Sequence, residues 1–163
     1  MKRLHKILPI ALLSLTVTGL NINAQVANAN TTKQPIQIAQ NSQAASYYQE
    51  AVRLLDAKKY REAIAVINKV IVIEPNNQNA YYLRGICYQY LEQQQQAKAD
   101  FTNVIKLDPT FPYGYLSRGV SNYLLRENNS AIQDFKTAAD LFTKVGDTKM
   151  AETALRFAKR VQE

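Results

Sequence analysis

From Ala44 onward, apolar residues recur at the spacing of α-helices, and short polar stretches separate them. The first apolar face is formed by Tyr47, Ala51 and Leu54, and the second by Ala63, Ile64, Ile67, Val70 and Ile71. This spacing predicts two amphipathic helices. Residues 58–60 are expected to form the turn between them. The second helix should end before Pro75, because the residue preceding a proline is disfavoured in α geometry.

The same pattern returns every 34 residues along the chain. Four residue classes recur in phase: Tyr47, Tyr81 and Tyr115; Ala51, Gly85 and Gly119; Ala63, Ala97 and Ala131; Ile67, Phe101 and Phe135. A fixed period of this length predicts an all-α array of stacked helix–turn–helix units. We assign the units to residues 44–77, 78–111 and 112–145. An unrelated helical bundle with chance periodicity is the alternative, but it would not keep four classes in phase.

Three details of the units carry further expectations. Polar turns are expected at 92–96 in the second unit and at 126–129 in the third. Thr143 stands where Pro75 and Pro109 close the earlier units, so the last helix of the third unit should continue through Phe142. A glycine within a helix costs about 1 kcal/mol relative to alanine. We therefore expect Gly85 and Gly119 to permit close approach of the paired helix, at Ala97 and Ala131.

Residues 147–162 predict one more helix, with one apolar and one strongly polar face. The apolar stripe is Met150, Ala151, Ala154, Leu155, Ala158 and Val161, and the polar face is Lys149, Glu152, Arg156, Lys159 and Arg160. A terminal unit of a stacked array has to present a polar outer surface to solvent. This segment is therefore interpreted as a capping helix.

Residues 1–29 have the three parts of a secretory signal peptide: a basic start, an apolar run from Ile7 to Leu20, and a small-residue site. Cleavage is expected after Ala29, with Ala24 as the weaker site. The apolar run is shorter than the roughly 20 residues of a membrane-spanning helix, although an uncleaved anchor is the alternative. The mature chain is thus expected in the periplasm, or in the thylakoid lumen of a photosynthetic organism. Residues 30–43 are interpreted as a flexible linker.

These repeated residues resemble the tetratricopeptide repeat, a 34-residue helix–turn–helix unit. The resemblance covers residues 44 to about 142 and implies an α-solenoid of three units with a C-terminal cap. It also implies that the first helices of successive units line a concave groove that binds a protein or peptide. The matching positions are Tyr48, Val52, Tyr82, Ile86, Gln89, Tyr90, Tyr113, Leu116, Val120 and Tyr123, with Leu55 and Leu124 beside them.

One ligand class known for this family is not expected. Members that hold the C-terminal carboxylate of cytosolic chaperones use Lys, Asn and Arg side chains in the groove. The corresponding residues here are Tyr48, Val52, Leu83, Tyr113 and Ser117. None of them can supply a cationic contact to a carboxylate. The groove should instead prefer apolar or aromatic ligands, which tyrosine suits because it combines large area with a hydroxyl.

The composition argues against catalysis and against a metal or another cofactor. His5 is the only histidine and would leave with the signal peptide, which removes the commonest general base and metal ligand. The five glycines are scattered, so there is no phosphate-binding loop. Cys87 is interpreted as a small buried residue; a reactive thiol is the alternative, but no cationic partner is evident.

Charge leaves one second hypothesis open. Lys2, Arg3 and Lys6 lie within residues 1–29, so the remaining chain keeps 17 of its 20 basic residues beside all 13 acidic ones, a net charge of +4. Such a modest excess does not favour nucleic acid as a partner. The basic residues of the last helix could touch an anionic membrane or cell-wall polymer, but its apolar stripe is needed to cover the third unit. The sequence therefore predicts a non-catalytic scaffold or adaptor, with surface association as the alternative.

Overall fold

The computed structural model describes the backbone of residues 34–163 and the side chains of residues 40–163. Apart from Gln34 and Pro35, these residues form one compact unit, Ile36–Glu163. The seven helices of this part of the chain are α1 (Gln34–Asp56), α2 (Tyr60–Ile73), α3 (Gln78–Tyr90), α4 (Gln94–Leu107), α5 (Pro112–Leu124), α6 (Asn128–Lys144) and α7 (Thr148–Gln162). The all-α prediction is confirmed. The segment assigned to a signal peptide lies outside the described residues.

Each helix from α2 onward packs against its successor, and α3 also contacts α5. The first helices of the second and third units are therefore neighbours. The last helix of the third unit was predicted to continue through Phe142, and this is confirmed. It is α6, which has 17 residues, whereas α2 and α4 have 14 each. Without a proline at the closing position, nothing in the backbone stops the helix there.

The start of α1 differs from the prediction. Residues 30–43 were expected to form a flexible linker, yet α1 begins at Gln34 and is continuous to Asp56. The stretch contains no glycine, and its proline is the second residue of the helix. A proline in the first helical turn is tolerated because its missing N–H would have had no intrahelical partner. Residues 34–43 are thus part of the first unit's leading helix.

The turns inside the units share one backbone conformation. Lys58, Glu92 and Arg126, which are one repeat period apart, have φ values of 59°, 60° and 63°, and Gly146 before α7 has 82°. After each of them, the next backbone N–H donates to a carbonyl near the end of the preceding helix; for example, Lys59 N donates to Leu54 O at 2.8 Å. These hydrogen bonds satisfy carbonyls that the helix end leaves without partners. The turns are shorter than predicted, since residues 94–96 and 128–129 are already helical.

Gly85 and Gly119 make room for an aromatic ring rather than for an alanine. A Cβ added to Gly85 would lie 2.7 Å from Phe101 Cε1, and one added to Gly119 would lie 2.7 Å from Phe135 Cε1. Both rings are buried. The expectation that Ala97 and Ala131 are the contact residues was therefore wrong. The first unit has Ala51 opposite Ile67, so the extra methyl group occurs where the larger ring is absent.

The capping helix buries a slightly different set of side chains from the one predicted. Met150, Ala151, Ala154 and Ala158 are buried against the array, but Leu155 is 52% exposed and Thr153 is buried instead. Successive residues point about 100° apart on a helix, so Thr153 and Leu155 flank Ala154 on opposite sides, and the array covers only the side of Thr153. Among the described residues, no helix is long and apolar enough to span a membrane.

Candidate functional site

The ten predicted partner-binding residues divide into two groups. Tyr82, Ile86, Gln89, Leu116 and Val120 are buried, at 9% exposure or less. The other five are half-buried, and we call them the tyrosine face: Tyr48, Val52, Tyr90, Tyr113 and Tyr123. A contact between α3 and α5 explains part of this division, because their facing residues pack against each other. The five buried residues present little surface in this structure, and their contact with a partner stays a prediction.

Gln89, one of the predicted binding residues, forms hydrogen bonds inside the protein. Its Nε2 donates to Ser117 O at 2.9 Å and to Ser121 Oγ at 3.0 Å. Both bonds cross from α3 to α5, and the three residues are buried. A buried amide without such partners would cost free energy. Gln89 therefore fixes two neighbouring first helices relative to one another.

Tyr82 lies between aromatic rings. Its ring centroid is 5.8 Å from that of Phe101 and 5.4 Å from that of Phe111. The hydroxyl forms no hydrogen bond of normal geometry within the described chain, although Ser117 is near enough to favour its ionised form. Burial outweighs that influence and raises the pKa of Tyr82 to about 12. Tyr82 is thus a neutral, packed side chain at physiological pH.

A row of aromatic rings continues from Tyr82 beside the tyrosine face. Phe111 lies 5.6 Å from Tyr113, and Tyr113 lies 4.9 Å from Phe142 in an edge-to-face arrangement. Such geometries are the favourable ones for aromatic pairs. Phe111 and Phe142 were not predicted to belong to the site. Their sequence signal is weak, because both lie close to the closing position of a unit, where a proline or a helix end is the expected feature.

Tyr90 is the last residue of α3 and packs against the preceding unit. Its ring stacks on that of Tyr60, the first residue of α2, with centroids 4.5 Å apart and planes at 5°. Burial raises the pKa of both phenols. Tyr60 was expected in a turn, but it begins a helix and supports a residue of the tyrosine face from the preceding unit.

Two arginine–aspartate pairs brace the second and third units. Arg84 donates to both oxygens of Asp100 at 2.8 and 2.7 Å, and Arg118 donates to both oxygens of Asp134 at 2.9 and 2.7 Å. Each pair joins the first helix of a unit to its second helix. Burial raises the pKa of Asp100, against the opposing effect of Arg84. The hydrogen bonds to Asp134 raise the pKa of Arg118.

The chain's single cysteine packs in the interior of the protein. Cys87 is fully buried, which confirms the interpretation as a packed residue, and burial raises the pKa of its thiol to about 12.

The basic residues Lys149, Arg156, Lys159 and Arg160 are exposed on α7. Within residues 34–163 there is no cluster of side chains with the composition of a metal site.

Known proteins match this chain mainly in structure. The family model described as tetratricopeptide repeat matches residues 79–111, which correspond to the second unit. The chain has no significant sequence match among curated proteins. Its helices superpose on many solved structures, and the agreement shows the tetratricopeptide-repeat fold.

Three of these structures illustrate the range of sequence identity, which runs from 18% to 27% among them. The second such domain of human RPAP3, in complex with an HSP70 peptide, is 27% identical and has a TM-score of 0.66; the alignment covers 74% of this chain and 98% of that one. The first domain of Spaghetti (RPAP3), bound to an HSP90 peptide, is 21% identical and has a TM-score of 0.67; the alignment covers 74% of this chain and 94% of that one. The TPR2B domain of yeast Sti1 is 18% identical, with coverages of 73% and 98% and a TM-score of 0.68.

Proposed function

We propose that this chain is a non-catalytic adaptor that binds a protein partner through its tyrosine face. The observation that carries the proposal is the set of four half-buried tyrosines, one or two on each of the first helices α1, α3 and α5. Tyrosine offers a large contact area with few rotatable bonds, and it is enriched where protein interfaces are strongest. The similar domains of RPAP3 and Sti1 were solved with HSP90 and HSP70 peptides, which supports a peptide-like ligand.

The ligand should differ from those peptides in charge. The HSP90 peptide of the RPAP3 complex is SRMEEVD, which is acidic. Here Tyr113 packs between Phe111 and Phe142, and Ser117 is buried. Neither position can offer a cation to a carboxylate. We therefore propose an apolar or aromatic segment as the ligand, with micromolar affinity expected for an isolated segment because the face spans only three units.

The binding proposal is tested with Tyr48→Ala/Tyr123→Ala, which removes two rings from the tyrosine face. With the purified chain as bait and the exported fraction as source, a partner should be retained by wild type and lost by this variant. The matched control is Tyr115→Ala, since Tyr115 is a half-buried tyrosine on α5 like Tyr123 but is not part of the face. A photo-crosslinker at position 123 should capture the same partner. Equal retention by all three proteins would contradict the proposal.

We also propose that the chain is exported and acts in the periplasm or a thylakoid lumen. The support is the basic, apolar and small-residue pattern of residues 1–29. Mass spectrometry of the native protein should give an N-terminus near Asn30. An intact Met1 in a cytoplasmic fraction would contradict export without affecting the binding proposal.

A second candidate function is association with an anionic surface through α7. It is favoured by four exposed cations on one helix, Lys149, Arg156, Lys159 and Arg160. Electrostatic binding of this kind weakens as ionic strength rises. Salt-sensitive binding to anionic vesicles that is lost in Lys159→Ala/Arg160→Ala would favour this function, whereas a partner unaffected by these changes would favour the tyrosine face.

A further inference from the structure

The second helices of the three units, α2, α4 and α6, all end on one edge of the array, where the chain turns into the next helix. Helices joined by short turns run antiparallel, so the three ends lie on the same side. Among the described residues, four large apolar side chains are exposed, and three of them are on this edge: Val72 at 80%, Leu107 at 39% and Val145 at 67%. One exposed aliphatic side chain is ordinary on a protein surface, but one at each of three helix ends indicates a contact surface.

Two of these three side chains directly follow an exposed lysine. Lys106 and Leu107 are the last two residues of α4, whereas Lys144 is the last residue of α6 and Val145 comes next. Lys149, the second residue of α7, is exposed on the same edge. These five residues come from neighbouring helix ends, and we call them the basic corner.

The carboxylates near the basic corner are less exposed than its lysines, because they cap the turns. Asp108 is half-buried, and its Oδ1 accepts from Thr110 N at 2.9 Å and from Thr110 Oγ1 at 2.6 Å. Asp147 is half-buried as well, and its Oδ1 accepts from Met150 N at 3.0 Å. In the last four residues of α4 and α6, the turns after them and the first two residues of the next helix, every exposed charged side chain is a lysine.

The third aliphatic side chain, Val72, has different surroundings. The last four residues of α2 contain no lysine. In addition, α1 begins at Gln34, ten residues before the position that corresponds to the start of α3. Those ten residues extend about 15 Å beyond the edge, next to α2, and would hold a flat surface away from Val72. Val72 is therefore a control position within the same edge.

An exposed aliphatic side chain beside a lysine suits the surface of an anionic membrane. The aliphatic group can enter the boundary between headgroups and acyl chains, while the ammonium group reaches the lipid phosphates. A protein partner would need a separate recess for each isolated side chain, whereas a fluid bilayer yields around both. Near an anionic surface, each lysine strengthens binding about fivefold.

We propose that the basic corner rests on an anionic phospholipid membrane, with Leu107 and Val145 in the headgroup layer. This contact differs from surface association along α7, because it shares only Lys149 with that set of cations and adds apolar insertion. It does not involve the tyrosine face, so loss of partner binding there would leave it unchanged.

Insertion is measured with the chain from Asn30 onward, which contains the compact unit Ile36–Glu163. The environment-sensitive fluorophore NBD is attached to Val145→Cys or, as the control, to Val72→Cys; Cys87 is buried and should not react. With vesicles of equal parts POPC and POPG, emission from position 145 should shift to shorter wavelength, and emission from position 72 should not. No shift at 145, or an equal shift at both positions, would overturn the proposal.

Replacing the lysines tests the electrostatic part of the contact. Lys106→Gln/Lys144→Gln/Lys149→Gln should weaken cosedimentation with these vesicles at least about tenfold. Lys159→Gln/Arg160→Gln is the matched control: both residues are exposed but lie about 15 Å further along α7, more than a Debye length at physiological salt. It should bind within about twofold of wild type. Loss in the control with retention in the triple variant would place the contact on α7 instead.

High salt isolates the apolar part of the contact. Wild type should keep measurable binding to the vesicles when salt screens the lysines, since burial of apolar groups persists. Leu107→Ser/Val145→Ser should lose this residual binding, and Val72→Ser should keep it. Val145→Ser alone, at the more exposed of the two positions, should reduce it with an unchanged melting temperature. Complete loss of wild-type binding at high salt would contradict insertion.

Discussion

Replacing Phe101 by alanine should lower the free energy of unfolding by about 3–5 kcal/mol, the usual cost of removing a buried phenylalanine ring. Phe101 is fully buried, lies against Gly85, and has its ring 5.8 Å from that of Tyr82. The cavity would therefore open between the two helices of the second unit and beneath the aromatic row. Urea denaturation followed by circular dichroism measures the change.

A double-mutant cycle with Gly85 tests whether the ring and the glycine act as a pair. Gly85→Ala alone should destabilise, because its Cβ would meet Phe101 at 2.7 Å. Combining Gly85→Ala with Phe101→Ile reproduces the first unit's Ala51 and Ile67 and should recover much of the loss. Penalties that simply add would show that the two positions are independent.

Deleting Asp147–Glu163 should have the second large effect, because α7 covers the third unit. The helix buries Met150, Ala151, Ala154 and Ala158 against the array, and Phe157 packs edge-to-face on Phe135 at 5.5 Å. A buried Met or Phe side chain contributes roughly 1.5–3 kcal/mol, so the loss of Met150 and the exposure of Phe135 remove a substantial part of the stability. The truncated chain should melt at a lower temperature and aggregate.

Size-exclusion chromatography and a thermal melt check this result. Lys159→Ala/Arg160→Ala in the full-length chain is the matched control, since both residues are exposed and their removal should leave the melting temperature unchanged. A truncated chain that stays monomeric and melts like wild type would contradict the capping role.

The sequence predicted the array because its signals are local and repeated. The repeat period, the prolines at 75 and 109, and the threonine at 143 place the helices and even the long α6. The start of α1 was not predicted, because glutamine-rich composition without an apolar period looks the same in a linker and in a solvent-exposed helix. Helix formation there depends on continuity with the packed residues that follow.

The candidate site was predicted less completely, because exposure is decided by neighbouring units rather than by the helix itself. Gln89 has the same position on its helix as Tyr123, yet it is buried and donates hydrogen bonds to Ser117 O and Ser121 Oγ. The row through Phe111 and Phe142 joins residues from two units, and no single repeat-length window contains it. Such contacts follow only from the stacking of the units.

The left-handed residues of the three turns show that this chain is not as stable as its fold allows. Lys58, Glu92 and Arg126 hold φ values that cost a residue with a side chain about 1–2 kcal/mol relative to glycine, and all three side chains are exposed. Glycine already occupies the equivalent position before α7. Glycine at these three surface positions would thus add thermal resistance, which makes this array a practical starting point for a heat-tolerant scaffold.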